Sequence, residues 1–186
     1  FSNYNSGYKQ EASSIPSWTL MIYLVADNNL EANGVEDFNE MEAVNLDGQN
    51  INIIVLMDRI SGYSTADGNW TNTRLYKINY DSAGVNYNTV STRLASTELG
   101  LTTNGNEELN MADVNNVVKF VNFCKTNYPA DKYGIVFWNH GGGWRNNSDN
   151  NTESDYTQEV FKEVCTDDTN GYDYLYVYEI QNALAG

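Results

Sequence analysis

Apolar and polar positions fall in blocks along this chain. "WTLMIYLVAD" (Trp18–Asp27) is a continuous apolar run bounded by turn formers, and "NINIIVLMD" (Asn50–Asp58) is a second. Such runs predict strands buried on both faces, as in a parallel sheet. Between them Val35, Phe38, Met41 and Val44 recur at helical spacing. β-α-β is therefore the opening theme, and it predicts a right-handed parallel crossover. Thr73 to Tyr80 reads as a strand after a loop, part of a peripheral hairpin, and residues 82–110 are polar without a period. Val114, Val117, Val118, Phe120, Val121 and Cys124 lie largely along one face. They predict a helix that starts near Asn110 or Asp113 and stops before Pro129. Cys124 sits in that stripe and reads as a core residue.

"YGIVFWNHG", from Tyr133, is a third apolar run and reads as a third buried strand. The character then changes. From Gly143 to Val164 the chain is rich in Asn, Ser, Asp and Thr, a length of loop that in a compact domain is functional or disordered. The remainder holds a turn at Thr169–Tyr172, a short extended piece and a helix from about Tyr178. Residues 1–17 are polar and unpatterned and read as an arm or the remnant of a pro-segment; 18–186 read as one α/β unit. Cys165 follows a stretch with no strand pattern, so nothing in the sequence fixes it beside His140.

Composition narrows the function. A chain of 186 residues with 41% hydrophobic content can build a core. A net charge of −15 repels phosphates, which argues against nucleic acid and anionic membranes as partners. No apolar run reaches the roughly 18 residues of a membrane span. Two cysteines, Cys124 and Cys165, are too few for a disulfide framework. The chain opens on Phe1, which reads as a processed or trimmed form.

Ligands of open α/β sheets gather at the carboxyl ends of strands. Here those ends carry Asp27, Asp58 and His140. The two aspartates read as loop-orienting groups. His140 is the only histidine, and Gly141 to Gly143 follow it at once. Glycines there let a substrate backbone approach, and their amides can face a developing oxyanion. "NHGGGW" resembles the oxyanion element of some esterases, but no G-x-S-x-G nucleophile turn occurs. No G-x-G-x-x-G follows the first strand, which speaks against dinucleotide binding. "CTDDTNGYD" invites a calcium-loop reading, yet with Gly171 sixth the first and twelfth positions, Thr166 and Val177, do not fit.

Several blocks, in order, resemble one family: "WTLMIYLVADNNLE", "INIIVLMDR", "TRLYKI", "YPADKYGIVFWNHGGGW" and "DDTNGYDYLYVYEIQNAL". They are similar to the clostripain family of cysteine peptidases. The resemblance implies a caspase-like α/β fold, a mostly parallel sheet flanked by helices, of which this chain is the N-terminal part. It implies an endopeptidase that cleaves after basic residues, Arg above all and Lys second, through a Cys–His dyad. His140 matches the family's catalytic histidine, and Gly141 the glycine whose amide serves the oxyanion hole. The family nucleophile sits in an Asp-x-Cys motif after the helix that matches "YEIQNAL", beyond residue 186. Cys165 lies upstream of it and does not match. Arg145 and Lys162, in the loop of about 143–164, are candidate self-processing sites of a zymogen. The resemblance further implies a companion heavy chain carrying the nucleophile, peptide substrates with basic P1 residues, and a secreted or cell-surface bacterial setting. The chemistry needs no cofactor, and calcium stays open as an added ligand. The rival readings are a non-catalytic caspase-like domain that binds peptides or a partner, and a self-contained dyad with Cys165 as nucleophile.

Overall fold

The computed structural model describes residues 15–141 and 162–185. A five-stranded mixed sheet forms the centre, in the order β4-β3-β2-β1-β5. β1 (Trp18–Ala26), β2 (Ile51–Arg59) and β5 (Lys132–Trp138) are mutually parallel, with β1 in the middle. β3 (Arg74–Lys77) and β4 (Thr92–Leu94) extend the other side antiparallel, which is the peripheral hairpin expected around Thr73–Tyr80. Helix α1 (Glu31–Glu42) joins β1 to β2, and α2 (Val114–Asn127) leads into β5. A two-stranded hairpin, β6 (Glu163–Asp167) and β7 (Asp173–Tyr176), runs into α3 (Val177–Leu184).

Strand alternation sorts the core into two layers. On one face Leu24, Ala26, Val55, Met57 and Tyr76 pack against Val35 and Phe38 of α1. On the other, Met21, Tyr23, Val25, Ile54 and Leu56 pack against Val117, Phe120 and Cys124 of α2. Helices therefore cover both faces, the only arrangement that hides strands apolar on both sides. Asp113 caps α2, its carboxylate accepting from the amide of Asn115 at 2.9 Å.

The structure differs from two expectations. Among the described residues β5 lies at the edge of the sheet, paired to β1 alone, and Val136 is 48% exposed. The second correction concerns the segment before Cys165. Glu163 to Asp167 form a strand, with Cys165 opposite Leu175 and both side chains in the main core. The alternation there spans too few residues to stand out from its polar surroundings.

Gly34, inside α1, marks where helix and sheet come closest. A Cβ at this position would lie 2.8 Å from the Cβ of Ala26 and 2.9 Å from Cδ2 of Leu24. Glycine in a helix interior costs about 0.5–1 kcal/mol relative to alanine. Overpacking a core costs about 1–3 kcal/mol, and here the clash is with a strand that cannot shift without its neighbours. Gly34→Ala is thus expected to lower the unfolding free energy in urea by about 1 kcal/mol or more. A stabilised variant would show that α1 can move away from β1.

Candidate active site

β1, β2 and β5 end side by side because they are parallel and in register, with Val25 opposite Asp58 and Leu24 opposite Trp138. The residues just past those ends meet above the sheet. Asn139 extends the ladder with its side chain, Nδ2 donating to the carbonyls of Val25 and Thr166 at 3.0 Å each. That pair of bonds ties the β6–β7 hairpin across the tops of β1 and β5. Asp27 completes the tie. Its backbone carbonyl accepts from the amide of Asp168 at 3.0 Å, and its carboxylate accepts from the Thr169 amide at 2.9 Å and hydroxyl at 2.8 Å. Asp167 in turn accepts from the Met111 amide at 2.7 Å and the Asn170 amide at 2.9 Å.

His140 follows Asn139 and is exposed. Its Nε2 lies 2.6 Å from Oδ1 of Asn29, in the turn after β1. With the amide oxygen accepting, Nε2 carries the proton and Nδ1 keeps the lone pair. The ring is thus held at one nitrogen and available at the other. The backbone then turns through Gly141 at φ +63°, a left-handed conformation that side chains other than glycine and a few Asx residues seldom adopt. Asp168 stands near enough for the histidine to act on it. Burial and the neighbouring Asp27 push its carboxyl up, and His140 pulls it back down.

The other expected site residues are placed unequally. Lys162 is exposed and directly precedes β6, its carbonyl accepting from the Val177 amide at 2.9 Å. Arg145 lies outside the described residues, as does most of the 143–164 loop. Cys165 is 1% exposed, and burial pushes its thiol up to about 12; Cys124 is 0% exposed and raised by the same cause. A thiol so raised holds almost no thiolate at neutral pH. Both cysteines should therefore resist iodoacetamide in the native protein and react once it is unfolded, as read by peptide mass mapping. Rapid native alkylation of Cys165 would place it in a reactive role.

Asp27 and Asp58 do orient loops, but they do more. Asp58 accepts from the Thr73 hydroxyl at 2.9 Å and the Arg59 amide at 3.1 Å. It also faces Asp27 and Glu108, with one carboxylate oxygen of each of the three within 4.8 Å of the others. Burial, then Glu108, Asp167 and Asp27, hold the Asp58 carboxyl well above the usual range. Burial, then Asp27 and Asp167, push Glu108 up to about 7. Asn29, Asn139 and Glu108 were not expected from the sequence. "DNN" and "WNH" put an asparagine beside each strand-end group, which is the one signal available. Glu108 sits in a polar stretch with no period.

Comparison with known proteins follows the same lines. The Clostripain family model matches residues 22–186. Clostripain of Hathewaya histolytica is 35% identical over 175 residues, 89% of this chain but 31% of that protein, so the chain spans about a third of its relative's length. A secreted C11 cysteine protease from Bacteroides thetaiotaomicron, solved in complex with an irreversible peptide inhibitor, has a TM-score of 0.58. That match covers 91% of this chain and 39% of the other at 23% identity, a likeness of fold. A B. fragilis cysteine protease chain is covered over 100% of its length and 74% of this one, with a TM-score of 0.51 and 26% identity.

Proposed function

The chain belongs to the clostripain family, and from that membership we propose that the whole protein is a cysteine endopeptidase cleaving after basic residues, with His140 and Gly141 in its active centre. The observation that carries this is His140 itself: at the carboxyl end of β5, exposed, anchored through Nε2 on Asn29, with the chain turning at once through Gly141. That arrangement leaves Nδ1 free to share a proton with a thiol. The nucleophile is then a cysteine outside residues 1–186, because Cys124 and Cys165 are both core residues with raised thiols.

The steps follow from those positions. His140 takes the thiol proton and forms a thiolate–imidazolium pair. The thiolate attacks the scissile carbonyl, and the amide of Gly141 donates to the oxyanion. The imidazolium hands its proton to the leaving amine, which departs and leaves a thioester. Water then attacks, His140 receives its proton, and the acid is released with the thiol restored. The preference for Arg or Lys at P1 draws support from the net charge of −15, which favours cationic peptides at long range.

Further parts of the reading concern the whole protein. A companion heavy chain carries the nucleophile. Cleavage after Arg145 or Lys162 within the 143–164 loop turns a zymogen into the active form. The protein works outside a bacterial cell. A separate B. fragilis chain that aligns along its full length supports the division into two chains, and the exposure of Lys162 leaves it open to a protease. No helix among the described residues is long and apolar enough to cross a membrane.

The test is irreversible labelling of the complete protein with peptidyl acyloxymethyl ketones ending in Arg, Lys or Leu, read by intact mass and peptide mapping. The expected result is one label from the Arg and Lys probes, on a cysteine beyond this chain, and little from Leu. Equal labelling by Leu would refute the specificity, and a label on Cys165 would refute the dyad. No label from any probe would favour a domain that binds peptides without cleaving them.

A further inference from the structure

We propose that the recess beside Arg74, at the start of β3, binds the carboxylate of an acidic residue in a peptide. The recess measures about 490 Å³, and its walls include Asn69, Trp70, Thr71, Asn72, Arg74 and Asn106. Arg74 lies opposite Met57, so the recess stands at the carboxyl end of β2, the edge of the sheet where His140 stands past β5.

The guanidinium of Arg74 is held but not neutralised. Its Nε donates to Oδ1 of Asn72 at 3.1 Å. Asn72 is itself buried and fixed, Nδ2 donating to the carbonyls of Thr73 and Gly105 at 3.4 Å each. The guanidinium carbon lies 4.3 Å from the Trp70 ring centroid. Among the described residues Nη1 and Nη2 donate to nothing, and no acid lies within ion-pair reach. Parallel N–H groups on a fixed fork match the two oxygens of a carboxylate.

The surroundings also lack acceptors. Arg93, on β4, donates from Nη2 to the Gly105 carbonyl at 2.6 Å, while its Nε is buried with no partner. Burial, then the nearby charge of Arg74, lower the Arg93 guanidinium. Trp70 is 8% exposed, and its indole N–H is buried without an acceptor. Glu107 attracts Arg93 but accepts from the Thr102 hydroxyl at 2.7 Å and makes no ion pair. In a chain with 25 acidic against 10 basic residues, two arginines thus meet with no described acid in contact. A carboxylate seated on Arg74 supplies the negative charge that this wall of donors lacks.

Two features favour a peptide over phosphate. Asn69, Thr71 and Asn106 are exposed and carry both donors and acceptors, which suit the amides of a peptide. The net charge of −15 opposes a multiply charged anion more than a single carboxylate. From β5 to β3 is a lateral step of three strand spacings, roughly 14 Å, which about four or five residues of extended peptide cover. An acidic residue that far from the cleaved bond reaches Arg74. This last step rests on the peptidase reading; carboxylate binding does not.

The complete protein is titrated by calorimetry with a blocked peptide holding one Glu and no Arg or Lys, with its Gln counterpart, and with inorganic phosphate. The Glu peptide is expected to bind at one per chain, at least about tenfold tighter than the Gln peptide or phosphate. Arg74→Gln is expected to remove that preference, and Arg74→Lys, which keeps the charge without the fork, to restore part of it. Asn69→Asp is exposed, leaves Arg74 in place and sits at a left-handed φ of +51° that Asp tolerates. It should weaken the Glu peptide by repulsion, with circular dichroism showing that each variant is folded. Equal affinity for the Glu and Gln peptides, or a preference untouched by Arg74→Gln, would overturn the proposal. So would phosphate binding with the Glu peptide silent. Turnover reads the second step. An Arg substrate with Glu about four or five residues from the cleaved bond should show a lower KM than its Gln form at equal kcat, in the wild type and not in Arg74→Gln. Peptide binding without that difference would refute the substrate role alone. Cleavage of neither substrate would refute the peptidase reading and leave the binding result to decide the site.

Discussion

His140→Ala, made in the complete protein, is expected to lower kcat/KM on an Arg peptide by about 10³-fold or more, with KM nearly unchanged. General acid–base catalysis by a placed side chain contributes about 10²–10⁴-fold, and in the proposed dyad the same ring also generates the thiolate. The loss should fall on kcat because, in the proposed mechanism, the imidazole touches reacting atoms and not the substrate side chain. Cys165→Ala supplies the contrast. Its sulfur lies in the main core, so the variant should lose some stability and keep its turnover. Were His140→Ala to cleave at the wild-type rate, or Cys165→Ala to be inactive while folded, the roles given to these two residues would be wrong.

Arg59→Met is expected to remove about 3–5 kcal/mol of unfolding free energy, the loss typical of a buried ion pair broken from one side. Arg59 and Glu31 have fully buried side chains, joined at 2.8 Å. The guanidinium also donates to the Ala66 carbonyl at 3.1 Å and lies 4.6 Å from the Trp70 ring centroid. Glu31 accepts from the Ser64 amide at 2.7 Å as well. The pair therefore fastens the loop after β2 to the first turn of α1. Removal of the arginine strands a carboxylate in the interior, whereas Glu31→Gln together with Arg59→Met strands no charge. The double variant should recover part of the loss in urea or thermal unfolding. If Arg59→Met costs less than about 1 kcal/mol, the carboxylate has found water or a proton and the pair is not the fastening it looks to be.

What the sequence disclosed tracks how each feature is encoded. β1, α1 and β2 could be read directly because every residue needed to recognise them is contiguous. α2 could be read because its apolar stripe and its Asp113 cap agree. The parallel α/β theme followed from the apolar runs, and the caspase-like architecture, a sheet with helices on both faces, from the resemblance of the family blocks. The place of β5 at one side of β1 could not be read, since pairing is a property of neighbours. β6 was hidden by its brevity and its polar approach. His140 was visible through its glycines, but its partner Asn29 was not, because "DNN" reads equally well as the turn that starts a helix. The acidic cluster was invisible for a plainer reason: Asp27, Asp58 and Glu108 come from three separate segments, and single-chain patterns carry no information about such meetings.

The central position of β1 has a consequence for the time course of folding. β2 reaches β1 through one short crossover, so that pair can form early from nearby residues. β5 must find the other side of β1 from far away; Asn139 and the Val25 carbonyl it bonds are 114 residues apart. Contacts that close so long a stretch of chain are paid for in entropy before they are rewarded, and they form late. β5, which bears the histidine, is accordingly expected to join β1 after β2 does, and the β6–β7 hairpin, whose Thr169 reaches Asp27 across 142 residues, later still.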